Sequence, residues 1–143
     1  MWYELKLDVD GDTWLVTAPA FPEVTTFGET NEEALRYGLS AILEAIAARI
    51  AASVDVPAPI DEDGLKFAVQ IPSAVFLKAA LYMTLRVRGL TRADLQRLMG
   101  EKNRTSVDRL FNIEHKSKLE SMDAAFRALG IPLFSDVPFP VAA

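Results

Sequence analysis

Residues 90–110 read Leu-Thr-Arg-Ala-Asp-Leu-Gln-Arg-Leu-Met-Gly-Glu-Lys-Asn-Arg-Thr-Ser-Val-Asp-Arg-Leu. Thr91 with Asp94 has the spacing of a helix cap, Leu95 and Leu98 begin an apolar stripe, and Gly100 stops it. Val107 and Leu110 then supply a second stripe. Two short helices, expected over 91–99 and 106–111 and joined by a glycine-containing turn, have the outline of a helix-turn-helix that reads DNA.

The charge map divides the chain around this stretch. Residues 1–64 carry 13 acids against 3 bases, a net −10, whereas residues 65–143 carry 7 acids against 12 bases, a net +5. The overall −5 conceals the division. A length of 143 residues with opposite charge in its halves suggests two small domains, and the 50% hydrophobic content is enough to give each a core. The chain has no long unbroken apolar run, and its start has no basic region followed by an apolar block. A cytoplasmic protein without a membrane span or signal peptide is therefore expected. With no cysteine, disulfides, thiol chemistry and cysteine-ligated zinc are excluded. No cofactor or metal is expected.

Outward from 90–110, the first half alternates. Tyr3, Leu5, Leu7 and Val9 interleave with Glu4, Lys6 and Asp8, the period of a strand with one buried face. Asp10-Gly11 suits a tight turn, so residues 3–18 should form a hairpin with Trp14 in the returning strand. Pro19 and Pro22 mark a loop, and Val24 to Phe27 a short third strand closed by Gly28. Thr30 with Glu33 fits a capping box for a helix reaching about Ser53, with Leu35, Leu39, Ile42, Leu43, Ile46 and Ile50 on the buried stripe. Ala41, Ala45, Ala48 and Ala52 form its other side, either helix filler or a close-packing oligomer surface. Residues 54–64 are a proline-containing acidic loop, and Leu65, Phe67, Val69 and Ile71 alternate as a fourth strand.

From Ser73 the pattern is helical. Phe76, Leu77, Ala80, Leu81 and Leu85 lead to a stop at Gly89, and a last helix spans 119–129 before Gly130. Thr105 with Asp108 and Ser117 with Glu120 repeat the cap spacing. The expected fold class is α+β: a β-β-β-α-β domain over 1–71, an all-α helix-turn-helix domain over 72–134 and an irregular tail over 135–143. Leu81, Leu85, Leu95, Leu98, Val107, Leu110, Phe126 and Leu129 are the candidate core of the second domain.

If Leu95, Leu98, Val107 and Leu110 hold two crossed helices together, then Asn103, Arg104, Thr105, Ser106, Asp108 and Arg109 lie on the outer side. That mixture suits a major groove, where arginine grips guanine, asparagine pairs with adenine and hydroxyls take phosphate. Lys102, Lys116, Lys118, Arg92 and Arg97 are placed for phosphates on either side. The plainer alternative is a solvated basic face on an ordinary bundle.

The second domain resembles the Cro and lambda repressor class through Leu90-Thr91, Leu95, Leu98, Gly100, Val107-Asp108-Arg109-Leu110 and Ala128-Leu129-Gly130. Gln96 stands where a small alanine is usual, and Gly100 to Val107 is one residue longer than the commonest turn, which leaves the base-contact register open by one position. Over about residues 2–133 the order of motifs resembles the HicB antitoxin family. It runs from the amphipathic opening strands through Phe27-Gly28-Glu29-Thr30-Asn31-Glu32-Glu33-Ala34-Leu35 and Val69-Gln70-Ile71-Pro72 to the two short helices. The resemblance implies a partial ribonuclease-H-like first domain that silences a small basic mRNA-cleaving toxin of the HicA type. It also implies a dimeric or tetrameric C-terminal module that represses the toxin–antitoxin operon.

The acidic half fits such a partner on physical grounds, because a toxin that grips RNA must be basic. Asp8, Asp10, Asp12, Glu23, Glu29, Glu32 and Glu33 are the candidate toxin-facing acids; each could equally serve solubility. A homodimer is expected, since one helix-turn-helix contacts a single half-site. Two other classes remain: a stand-alone transcription regulator whose first domain senses a ligand, and a metal-dependent nuclease built on Asp8, Asp10 and Asp12. The second lacks a carboxylate aimed at the same point from another strand. His115 lies in a polar stretch beside Glu114 and Lys116, a solvated or phosphate-near position rather than a catalytic one.

Overall fold

The computed structural model describes residues 1–133 and 137–142. Five strands and five helices follow in the order β1 (Trp2–Glu4), β2 (Lys6–Asp10), β3 (Thr13–Ala18), β4 (Phe21–Gly28), α1 (Asn31–Ala51), β5 (Ala68–Gln70), α2 (Ser73–Arg88), α3 (Arg92–Met99), α4 (Arg104–Arg109) and α5 (Leu119–Ala128). The fold is α+β, with four strands before α1, a fifth between α1 and α2, and only helices after it. The expected tail over 135–143 falls partly outside the described residues; within it, residues 137–142 carry neither helix nor strand.

The opening strand divides at Leu5. Before it, β1 pairs antiparallel with β5, with Tyr3 opposite Val69, and the Leu5 amide donates to the Phe67 carbonyl at 3.0 Å. After it, β2 joins the meander β2-β3-β4. The apolar alternation therefore serves two pairings, and it runs out at the hairpin end: Tyr3 and Leu5 are buried, Leu7 is half-buried, and Val9 is 71% exposed. Gly11 and Asp12 form the two-residue turn, and the Thr13 hydroxyl donates back to the Asp10 carbonyl.

The third strand is longer than expected. Pro19-Ala20 alone make the turn, and β4 begins at Phe21, with Pro22 inside it. A register shift between Thr17, opposite Thr25, and Ala18, opposite Phe21, leaves the intervening residues without ladder partners. Because β4 is also an edge strand, the missing proline amide costs nothing there. The fourth strand is shorter than expected, confined to Ala68–Gln70, with Leu65 and Phe67 half-buried before it. Ile60, expected in a loop, exchanges both main-chain hydrogen bonds with Trp2 at 2.8 Å.

Helix α1 covers one face of the meander. Its N-terminus is capped by the Thr30 hydroxyl, which accepts from the Glu33 amide at 3.1 Å. The reciprocal half of the expected box differs: the Glu33 carboxylate accepts from the amide of Glu29, not of Thr30. The buried stripe is also rotated, running through Ala34, Gly38, Ile42, Ala45, Ile46 and Ile50, while Leu35, Leu39 and Leu43 are only half-buried. Small residues set this phase. A Cβ at Gly38 would lie 2.4 Å from a methyl of Leu5, so the helix can approach the sheet only with its smallest side chain inward. Ala45, expected on the outer side, is therefore part of the core.

The helices after β5 continue the same buried cluster, which extends from Tyr3 and Phe21 through Ile50, Val56 and Leu81 to Phe126. Helix α2 buries Val75, Lys78, Ala79, Leu81, Tyr82 and Leu85, a face turned from the expected one so that Phe76, Leu77 and Ala80 are half-buried. The Tyr82 hydroxyl donates to the Val54 carbonyl at 2.8 Å, and Arg86 pairs with Asp55, joining α2 to the segment after α1. Helix α3 has the full capping box of Thr91 and Asp94. Helix α4 starts two residues earlier than expected, because Asn103 supplies the cap instead of Thr105. Helix α5 has no side-chain cap; the hydroxyl of Ser117 is engaged elsewhere, as described below.

One expected core position is corrected. Leu98 is 54% exposed. The phase that buries Leu95 carries Met99 rather than Leu98 along the inner side one turn later. Leu81, Leu85, Val107, Leu110, Phe126 and Leu129 are buried as expected.

Candidate functional site

Six of the seven candidate acids gather at one end of the meander. Val9 and Gly28 both pair with Trp14, so the β2–β3 turn and the β4–α1 corner lie side by side, about 10 Å apart across two strand spacings. Asp8, Asp10 and Asp12 occupy the first; Glu29, Glu32 and Glu33 occupy the second. All are exposed except Glu33, which is half-buried beside the amide of Glu29.

Glu23 is separate from them. It lies near the start of β4, where Arg49 grips it with Nε on Oε2 and Nη2 on Oε1, both at 2.7 Å. The Arg49 hydrogen bonds hold the Glu23 carboxyl below its ordinary range, against a smaller opposing effect of burial. This acid fastens β4 to the last turn of α1.

Among the described residues, no helix or strand is stacked on the meander face away from α1. In register across it stand Asp8, Leu15 and Phe27, flanked by Thr17 and Thr25. Leu15 is half-buried and Phe27 is 47% exposed. An apolar strip bordered by carboxylates suits a partner that offers both apolar contact and positive charge. Among the described residues, no three His, Asp or Glu side chains converge closely enough to hold a metal ion.

The other surface is built around α4. Gly100, with φ of +66°, ends α3 in the left-handed conformation that side chains disfavour, and residues 100–103 turn the chain into α4. The Asn103 side-chain oxygen accepts from the Thr105 amide at 2.9 Å, so the cap occupies the acceptor that adenine recognition would use. Asp108 Oδ1 accepts from both Arg92 and Arg104 at 3.2 Å. Burial pulls the Asp108 carboxyl up, but the hydrogen bonds and charges of Arg104 and Arg92 outweigh it and hold the group below its ordinary value. Arg92 also lies over the Phe111 ring, 4.6 Å from its centroid.

The remaining basic residues differ in freedom. Arg97 is paired with Asp94 on α3. Lys102, Arg109, Lys116 and Lys118 are exposed, and the Arg109 side chain has no hydrogen bond or ion pair among the described residues. Thr105 is exposed and Ser106 half-buried. The structure thus brings Lys102, Arg104, Thr105 and Arg109 onto one short helix and the turn before it, with Lys116 on the following segment, and gives Asp108 to the support of Arg104.

Sequence reasoning missed Lys78. Its side chain is 1% exposed, and its ammonium donates to the carbonyls of Arg109 at 2.9 Å, Asn112 at 2.8 Å and His115 at 2.7 Å, with the Ser117 hydroxyl also at 2.8 Å. Burial draws its pKa below the ordinary lysine value. The available signal was its position: three residues after Val75 and three before Leu81, Lys78 falls on the apolar stripe of α2.

By sequence the chain has relatives of known class. The family described as HicB-like antitoxin of bacterial toxin–antitoxin systems matches residues 3–80. The chain is 30% identical to Antitoxin HicB 2 of Photorhabdus laumondii, over 91% of each chain. It is 31% identical to Antitoxin HicB of Pseudomonas fluorescens, over 90% of this chain and 89% of that one. With Antitoxin HicB of Escherichia coli strain K12 the identity is 28%, over 82% of this chain and 84% of that one. The chain belongs to the HicB-like antitoxin family. Among the described residues, no helix is long and apolar enough to cross a membrane.

Proposed function

We propose that this chain binds and neutralises a small, basic, mRNA-cleaving toxin of the HicA type through its acidic half, and represses its own operon through α3, the turn and α4. The observation that carries the reading is the coincidence of charge and geometry. Six acids share one end of the meander beside its uncovered face, whereas exposed basic residues cluster on and around α4 at the other end of the chain. A carboxylate-rich surface attracts an RNA-gripping protein over long range and competes with RNA for the same cations.

In this reading residues 1–71 are the toxin-binding unit, of partial ribonuclease-H type, and residues 72–134 the helix-turn-helix unit, followed by the tail. The protein acts by binding, without catalysis. Lys102, Arg104, Thr105, Ser106, Arg109 and Lys116 meet DNA, and Asn103 and Asp108 support them through the cap and the Arg104 pair. A homodimer supplies two half-site readers, and the exposed Val87 and Leu98 are apolar surface that a second copy would cover. Co-expression with the product of the adjacent gene tests the first half: the pair should co-purify and the toxin's growth arrest should be lifted. Mobility shift of the promoter-region duplex by the purified protein tests the second. Failure of the first test alone would favour the stand-alone ligand-sensing regulator, and failure of both would overturn the reading.

A further inference from the structure

Among the described residues, the buried Lys78 ammonium has no carboxylate partner, and the groups it meets are all on one segment. Arg109 is the last residue of α4, and Asn112, His115 and Ser117 belong to the connection from α4 to α5. Carbonyls at a helix C-terminus lack intrahelical donors and carry partial negative charge, so a cation there both satisfies them and is stabilised by them. An ammonium has three donors, and four oxygens within 2.9 Å share them. Because α4 is only six residues long, it cannot hold its own orientation through internal hydrogen bonds. Its N-terminus is set by the turn after Gly100 and its inner side by Val107, but its C-terminal end is gathered by Lys78.

We propose that Lys78 is a positioning residue for DNA binding. From the rigid helix α2 it clamps the C-terminal end of α4 and the 112–117 connection, and so sets the angle at which Arg104, Thr105 and Arg109 are presented. This rests on the reading that α4 faces DNA. Lys78 itself touches no nucleic acid in this proposal, being 1% exposed, whereas the Arg109 side chain is exposed. A water molecule, with two donors, cannot serve all three carbonyls as the ammonium does, and the penalty falls on the segment that must stay in register.

The test uses the full-length protein with Lys78→Met, which keeps the volume and removes the donors, and Val75→Ala as a control that weakens α2 packing without touching α4's carbonyls. Binding to a fluorescein-labelled promoter-region duplex, co-purification with the toxin and residue-resolved amide exchange are measured on each. Lys78→Met should weaken duplex binding about tenfold or more, on the scale of a buried charged hydrogen bond lost. Amide exchange should quicken in residues 109–117 while α1 and α3 keep their protection, and toxin binding should be unchanged. Val75→Ala, at equal loss of melting temperature, should bind the duplex normally.

Should Lys78→Met not fold, Ser117→Ala removes one of the four oxygens and should give a smaller loss of duplex affinity with the same local pattern of exchange. Equal loss of affinity in Val75→Ala, or normal affinity in both tether variants, would overturn the proposal alone. Absence of duplex binding by the unaltered protein would overturn the DNA reading with it; quickened exchange in 109–117 would then still report the clamp as a purely structural one.

Discussion

Gly28 and Ala34 meet backbone to backbone: a Cβ built on Gly28 would lie 2.4 Å from the Ala34 nitrogen and 2.6 Å from its Cα. This contact closes the corner where β4 enters α1, and so fixes Glu29, Glu32 and Glu33 beside the β2–β3 turn. The obstructing atoms are main chain and cannot rotate away. Gly28→Ala should therefore destabilise the protein by about 1–3 kcal/mol, the usual cost of forcing extra volume into a packed site. Chemical denaturation checks it; an unchanged midpoint would show that the corner is looser than the contact implies.

Charge at the acidic end should govern the rate of toxin capture more than the lifetime of the complex. Replacing Asp8 and Asp10 by Asn, and Glu29 and Glu32 by Gln, should slow association about tenfold at low salt, with the difference shrinking as salt rises. Glu23→Gln makes the contrast. Because Glu23 is spent on Arg49, its loss should leave association unchanged and lower stability by no more than about 1 kcal/mol, the scale of an exposed ion pair. Stopped-flow measurements on the five-position set decide whether the two acid populations differ.

On α4 two substitutions separate contact from support. Arg109→Ala should weaken duplex binding by about 1–3 kcal/mol if it reads a base, or lower the salt slope by about one if it meets phosphate. Asp108→Asn should weaken binding several-fold, since it frees Arg104 and Arg92 from the carboxylate that holds them, an effect set against the smaller gain from removing a negative charge. Titrations at several salt concentrations separate these outcomes. Stronger binding by Asp108→Asn would mean that the carboxylate repels DNA more than it holds Arg104 in place.

Tyr3 makes the stability sensitive to alkaline pH. Burial pushes its pKa from 10.0 up to about 12, against a smaller lowering by the charge of Arg49, and its hydroxyl donates to the Pro57 carbonyl at 2.6 Å. Its folded pKa exceeds the unfolded value, so its contribution is complete below pH 10.0 and declines as pH rises towards 12. Tyr3→Phe should cost about 1 kcal/mol at neutral pH through the lost hydrogen bond, and the gap from the unaltered protein should narrow above pH 10.0. Thermal melts of both proteins across that range compare the same background, including the opposing tendency of Lys78. A constant gap would show that Tyr3 does not titrate differently in the folded state.

Local rules made much of the fold readable. The Thr91 and Asp94 box, the stops at Gly89 and Gly100, and the alternation over Tyr3 and Leu5 depend on residues within one turn or one strand of each other. The errors arose where distant parts set the phase. Leu98 looks as apolar as Leu95, yet only the packed partner decides which of them turns inward. The buried stripe of α1 departs from its hydrophobic pattern because Gly38 admits Leu5 from 33 positions away, and hydrophobicity alone carries no record of such an approach. Glu23 was read with the other acids because its partner Arg49 lies 26 residues on.

By itself the sequence determined the succession from a strand-rich half with one long helix to an all-helical half, the opposition of an acidic half to a basic one, and the motif order shared with HicB antitoxins. These follow from short-range propensity and from composition, which need no knowledge of packing. Only the tertiary structure decided that six acids share one end of the meander, that Asp108 serves Arg104 and Arg92, and that a buried lysine gathers the end of α4. Each depends on side chains and carbonyls brought together by core packing, and a buried charge finds its partners only after the core has excluded water.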